Sequence, residues 1–190
     1  MLVVITGLDG SGTSSIASGL NKIDNGSMLF KTPGPEFSDR KNIDLALKGN
    51  SPVAHMLYYL SSVVYLSDYI KNNCDYLNNN VYVVRYLIDT VVSNRVAGIP
   101  IDLDYNIYGN QLLEPDLTLF VGLDEALRQR RIENRGKDVL DKVLDDSDTR
   151  FRFLKEFYSF LDLDKTIFIN NVGSIDSVVS NTYQKVKKFK

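Results

Sequence analysis

The chain has 190 residues, 44% of them hydrophobic, with 22 Lys and Arg against 24 Asp and Glu. That length and apolar content predict one domain, with room for a small lid, that buries its core without disulfides or metals. A formal net charge of -2, with both signs mixed along the sequence, argues against the basic face of an electrostatic nucleic-acid binder. The basic ending Lys185–Lys190 reads more simply as a helix C-terminus, where cations complement the dipole. Cys74 is the single cysteine, so neither an internal disulfide nor a cysteine-based zinc site is expected. The opening apolar run Leu2–Ile5 has no basic region before it and stops at Gly7, which is too short for a signal peptide or a membrane span. Asn25-Gly26-Ser27 reads as a turn, and the isolated His55 as a packed or snorkelling side chain. These features predict a reducing, cytoplasmic setting.

Taken in chain order, short apolar runs alternate with helical patterns. A strand is predicted at Leu2–Thr6, a helix at Ser14–Leu20, a strand at Met28–Thr32, and a long helix at Pro52–Asn72 with Pro52 in its first turn. Then come a strand at Val81–Arg85, helices at Ile88–Ala97 and Asp102–Leu113, and a strand at Leu117–Val121. A helix at Asp124–Asn134, another at Ser147–Leu161, a strand at Thr166–Asn170 and a helix at Ser174–Lys187 complete the series. Asp124 and Ser174 suit the N-cap positions. Several strands are continuous apolar runs rather than alternating ones, as in strands covered on both faces. The expected fold is therefore α/β: a five-stranded parallel sheet, doubly wound, in a three-layer α/β/α arrangement. The charged, weakly patterned stretch Gly136–Asp148 is either a short lid, at about 135–148, or a surface loop.

The strongest local signal is LVVITGLDGSGTSSIASGL, where a buried strand runs into a glycine-rich turn and then a helix. Glycines let successive amides turn toward one anion, and the helix N-terminus adds its positive end. Gly7, Gly10, Ser11, Gly12, Thr13, Ser14 and Ser15 are thus the candidate phosphate-binding residues, with the Ser14 hydroxyl placed for a phosphate-bound magnesium ion. The usual lysine of such loops is replaced by Thr13. The plain alternative is a strand-to-helix turn with no catalytic meaning.

GLDGSGTSS resembles the phosphate loop of thymidylate kinases, G-x-D-G-S-G-K-T-T. Pro33-Gly34-Pro35 is similar to that family's Pro-Gly turn, Val83–Asn94 to its third strand and D-R-Y-x-x-S motif, and Glu114–Asp138 to its fourth strand, next helix and arginine-bearing lid. Phe157 and Tyr158 fall where the family carries aromatics. The ordered set spans most of the chain. The resemblance implies a P-loop kinase fold, ATP with Mg2+, nucleotide substrates and a homodimer. It implies that Asp9 lies near the acceptor's sugar and phosphates and that Arg85 holds the acceptor phosphate. Tyr59 would stack on the acceptor base, Asp89 and Thr90 would line the acceptor site, and Arg131 and Arg135 would close over the donor. Plainer roles stand beside these: Arg85 as a surface ion-pair partner, Tyr59 as core, and Arg128, Arg130, Arg131 and Arg135 as a solvated basic face.

Four positions depart from the family pattern: Thr13, Val84 in place of the strand-end aspartate, Thr32 in place of an acidic residue, and Val63 in place of a base-reading arginine. The implied activity is transfer of the ATP γ-phosphoryl group to dTMP or a related monophosphate. A nucleotide-binding relative without catalysis, acting as sensor or partner subunit, and a kinase with a different acceptor are the alternatives.

Overall fold

The computed structural model describes residues 1–47, 49–99, 111–136 and 143–189. Five strands, β1 (Leu2–Thr6), β2 (Met28–Lys31), β3 (Val81–Val84), β4 (Leu117–Gly122) and β5 (Thr166–Asn170), form one parallel sheet in the order β2-β3-β1-β4-β5. The helices are α1 (Thr13–Ile23), α2 (Arg40–Leu47), α3 (Pro52–Asn73), α4 (Leu87–Val96), α5 (Glu125–Arg135), α6 (Ser147–Phe160) and α7 (Ile175–Phe189). All five predicted strands are present, and the helix boundaries shift by up to three residues. Asp124 caps α5 through the amides of Ala126 and Leu127, and Ser174 accepts from the amide of Ser177 at the start of α7.

Two outcomes differ from expectation. α2 has no predicted counterpart: it is only eight residues long and none of its residues is fully buried, so its short apolar pattern at Ile43, Ala46 and Leu47 is a weak signal. The predicted helix Asp102–Leu113 and lid fall in large part outside the described residues, and 111–113 are not helical.

The central strands are largely apolar because both faces are covered. Val3 and Ile5 pack with Ile16, Ala17 and Leu20 of α1 and with Val178, Val179 and Val186 of α7. Leu2 and Val4 point the other way, onto Val63, Leu66 and Ile70 of α3. A third cluster joins Phe120 of β4 to Val92 of α4 and Phe157 of α6. Each such side chain contributes roughly 1.5–3 kcal/mol on burial. β1 sits in the middle, where the chain turns from building one half of the sheet to the other, and the crevice beyond such a strand is where sheets of this type receive ligands.

The α1–α7 contact depends on Gly19, where an added Cβ would collide with Val179 Cγ2 and lie 3.0 Å from Cγ1. Gly19→Leu is expected to cost about 1–3 kcal/mol by overpacking, read as a lower urea midpoint with an unchanged slope.

Candidate active site

β1 ends at Thr6, and Gly7–Gly12 turn the chain into α1. Gly10 and Gly12 have φ of 84° and 99°, values that side chains disfavour. Space also excludes a side chain: a Cβ on Gly10 would lie 2.7 Å from Ile132 Cγ1, and one on Gly12 would run into the Asn171 amide. Four of the six carbonyls of this loop are engaged elsewhere. Leu8 O accepts from the amide of Ser11 and Gly12 O from that of Ile16. Asp9 O accepts from Arg128 Nη1 at 2.7 Å, and Ser11 O from Asn171 Nδ2 at 2.7 Å and Arg131 Nη1 at 3.5 Å. The amides of Gly10, Gly12, Thr13 and Ser14 have no acceptor among the described residues. Gly12 gives α1 no side-chain cap, whereas Asp124 and Asp146 cap α5 and α6. The Ser11 hydroxyl is also buried without a partner. A helix N-terminus left in this way is an anion site.

The basic residues of α5 divide by task. Arg128 is 1% exposed, so it does not belong to a solvated face. Its Nε and Nη2 donate to the two Glu125 oxygens at 2.7 and 2.8 Å, and Nη2 also reaches Leu144 O at 3.3 Å. Arg131 differs from the expected role over the donor. It donates to Ser11 O and, at 3.1 Å, to Asn171 O, bracing the loop from outside. Arg135, at the end of α5, is exposed.

Arg85 follows β3 with φ 65°, an uncommon conformation for a side-chain-bearing residue. Its amide donates to Ile5 O, its carbonyl accepts from Thr32 Oγ1, and its guanidinium pairs with Asp9. Burial opposes its charge, but Asp9 and Asp89 outweigh this and raise its pKa. Asp89 is 6% exposed, accepting from Thr6 Oγ1 at 2.8 Å and the Tyr86 amide at 3.0 Å. It closes the capping box of α4 and acts on Arg85 through charge, so the structure does not present it to an acceptor. Burial pushes its carboxyl up, with Arg85, Thr6 and Tyr86 opposing. Thr90 is half-buried in the first turn of α4.

Tyr59 of α3 donates its hydroxyl to Asp44 Oδ1 at 2.8 Å; burial and that bond push its pKa well up. His55 Nε2 shares the same oxygen at 2.8 Å, and its ring lies 4.9 Å from that of Tyr59. Val63, one turn on, is fully buried in the core, so no base-reading side chain issues from that position. A cavity of about 510 Å³ opens beside the loop, lined by Ser14, Lys31, Pro33, Tyr65, Tyr69 and Val84 among others. Asn171 has no role in the sequence reading, and Arg128 figures there only as part of a solvated basic face. The Asn170-Asn171 pair directly after an apolar strand was the available signal, since ligand sites gather at strand ends.

No cluster of three or more His, Cys, Asp or Glu residues that could hold a metal occurs among the described residues. Magnesium fits instead as part of a nucleotide complex, since it is commonly held by few protein oxygens together with substrate phosphates and water. The exposed Ser14 hydroxyl, on the cavity wall, is the protein oxygen available. No described helix is long and apolar enough to cross a membrane.

A family model described as thymidylate kinase matches residues 5–181. A probable thymidylate kinase of Methanococcus maripaludis is 24% identical over 174 residues, covering 91% of this chain and 83% of that one. The thymidylate kinase of Brachyspira hyodysenteriae is 26% identical over 144 residues, covering 71% and 70%. Among solved structures, the thymidylate kinase of Candida albicans superposes with a TM-score of 0.72 at 21% identity, covering 98% of this chain and 91% of that one. That of Ehrlichia chaffeensis gives 0.70 at 16% identity, covering 98% of each. At those identities the two structures establish the fold.

Arg128→Met leaves Asp9 O without its donor, while Leu144 O keeps Arg150 Nη1 at 2.8 Å; the orphaned carbonyl costs about 1–3 kcal/mol, and urea unfolding measures the loss. Burial disfavours the charge on Glu125, but bonds from Arg128 and Gln129 and the charges of Arg128 and Arg150 hold its carboxyl below the ordinary range. A depressed folded pKa gives stability that is present above the unfolded value and lost as pH falls through the folded one. Glu125→Gln is therefore expected to flatten the acid limb of the stability profile below about pH 4.5.

Proposed function

The chain belongs to the thymidylate kinase family, and from that premise we propose that it is a nucleoside monophosphate kinase moving the ATP γ-phosphoryl group to dTMP or a related monophosphate at the mouth of Gly7–Ser15. The observation that carries this reading is the orientation of the loop, with carbonyls bonded back into the protein and amides left for an anion. The donor's phosphates lie along Gly7, Gly10, Ser11, Gly12, Thr13, Ser14 and Ser15, at the positive end of α1. Mg2+ arrives with ATP, is touched by Ser14, and supplies charge neutralisation when bound.

Arg85 holds the acceptor phosphate against the donor, and its pairing with Asp9 orients it; Asp9 lies beside the acceptor's sugar. Asp89 sets the charge environment of Arg85 from below, and Thr90 lines the acceptor side. Tyr59, fixed by Asp44, stacks on the acceptor base. Arg135 reaches the donor side from α5. Phosphoryl transfer needs no protein nucleophile, so positioning and fixed charge carry the catalysis. By family analogy the working form is a cytoplasmic homodimer packed through helices.

A kinase with another acceptor is favoured by the burial of Val63, which removes the base-reading side chain. A binder without turnover is favoured by Thr13 and Val84. Incubation with ATP, magnesium and a panel of nucleosides and monophosphates, quantifying ADP, separates the three. Turnover with dTMP supports the first reading, turnover with another acceptor the second, and ATP binding without turnover the third; absence of nucleotide binding ends all three. Arg85→Ala is expected to lose about 10²–10³ in kcat, the scale for removing one fixed charge-stabilising donor, with the urea midpoint little changed. Unchanged kinetics would remove Arg85 from the site.

A further inference from the structure

The family's phosphate-loop lysine is Thr13 here, yet a lysine stands at the mouth of the same loop from a different element. Lys31 ends β2 in register with Val84 of β3, and Val84 is in register with Ile5 of β1. Register partners of neighbouring parallel strands share a face, so Lys31 leaves the sheet on the side of Ile5. That is the side covered by α1. Lys31 and Ile5 are two strand spacings apart, about 10 Å, and α1 spans this gap because it packs on β3 and β2 as well as β1. Ser14, in the first turn of α1, lines the same cavity as Lys31.

The charges acting on Lys31 are those of Arg85, Arg40, Asp9 and Arg135. Three are cations, and the one carboxylate, Asp9, is already paired with Arg85. No hydrogen bond or ion pair among the described residues engages the Lys31 ammonium group. Lys31 is exposed at the end of β2; the protein crowded about it, followed by the charges of Arg85 and Arg40, lowers its pKa. An ammonium group in that setting gains most from an arriving anion. Val84 explains why it remains available. An aspartate at this position would stand one strand spacing, about 4.8 Å, from Lys31 on the same face and would pair with it. The two departures from the family pattern are thus coupled: the loop has lost its cation, and β3 has lost the carboxylate that would neutralise a cation on β2.

We propose that Lys31 is a further catalytic residue, whose ammonium group contacts the γ-phosphate oxygens of the donor and supplies from β2 the charge that Thr13 does not. The proposal rests on the phosphotransferase reading above. In the transfer, an acceptor phosphate oxygen bonds to the γ-phosphorus as the bond to the β–γ bridging oxygen breaks, and ADP leaves with that electron pair. Lys31 moves no proton and stays charged.

The test uses the full chain with Lys31→Met, Thr13→Lys and the double variant, following kcat with the best acceptor and measuring ATP and ADP affinity by calorimetry. K31M is expected to lower kcat about 10²-fold and to weaken ATP about tenfold while ADP changes less than about twofold. The double variant is expected to recover about tenfold in kcat over K31M, because the cation has been returned to the loop; a structural role for Lys31 gives no such rescue. A K31M enzyme within about twofold of wild type in kcat and ATP affinity overturns the proposal, as does equal loss of ATP and ADP affinity or a double variant no faster than K31M. Wild-type protein that turns over no acceptor fails the functional reading instead, and the ATP-against-ADP comparison then decides Lys31 alone.

Discussion

The structure depends on keeping the carbonyls of one short loop turned away from the space its amides face. An anion site built from backbone has no charge of its own beyond the helix dipole, and one inward carbonyl would cancel much of it. Asn171 and Arg131 hold Ser11 O, and Arg128 holds Asp9 O. Arg128 can be buried because Glu125 meets it with both oxygens and two carbonyls take its remaining donors. A buried guanidinium is tolerable only when satisfied in this way. The loop's shape is therefore set by side chains from α5 and from the end of β5, not by its own glycines alone.

Around that loop the electrostatics are lopsided. Arg85, Arg40 and Arg135 all act against the charge of Lys31, and the two carboxylates nearest Arg85 are committed, Asp9 to Arg85 and Asp89 to Thr6 and the Tyr86 amide. A cation held in place, as Arg85 is by Asp9, needs little reorganisation when negative charge arrives, which is how charge stabilisation becomes catalysis.

Much of the fold was legible because its strands are buried on both faces, and Val-Val-Ile or Val-Tyr-Val-Val runs have few other readings. The glycine-rich turn between β1 and α1 was legible because glycine spacing and a strand-to-helix context are local. α2 was not, since no residue of Arg40–Leu47 is fully buried. The division among the α5 arginines was hidden because Arg128 and Arg131 differ by three residues, and which of them is buried is decided by Glu125 and by a loop 119 residues away in sequence. Tyr59 was left between base and core; its bond to Asp44 depends on a helix that the sequence did not announce.

The Asn171–Ser11 bond joins residues separated by 160 positions. Asn171 follows β5, at the sheet edge beside β4, so the glycine loop gains this bond only after β5 has docked. Long-range closures of this kind come late because their entropy cost precedes their reward. A growing polypeptide on the ribosome therefore acquires its anion cradle last. Once acquired, ligand occupancy stabilises the whole molecule rather than its first hairpin of strand and helix, by mass action on the folded state.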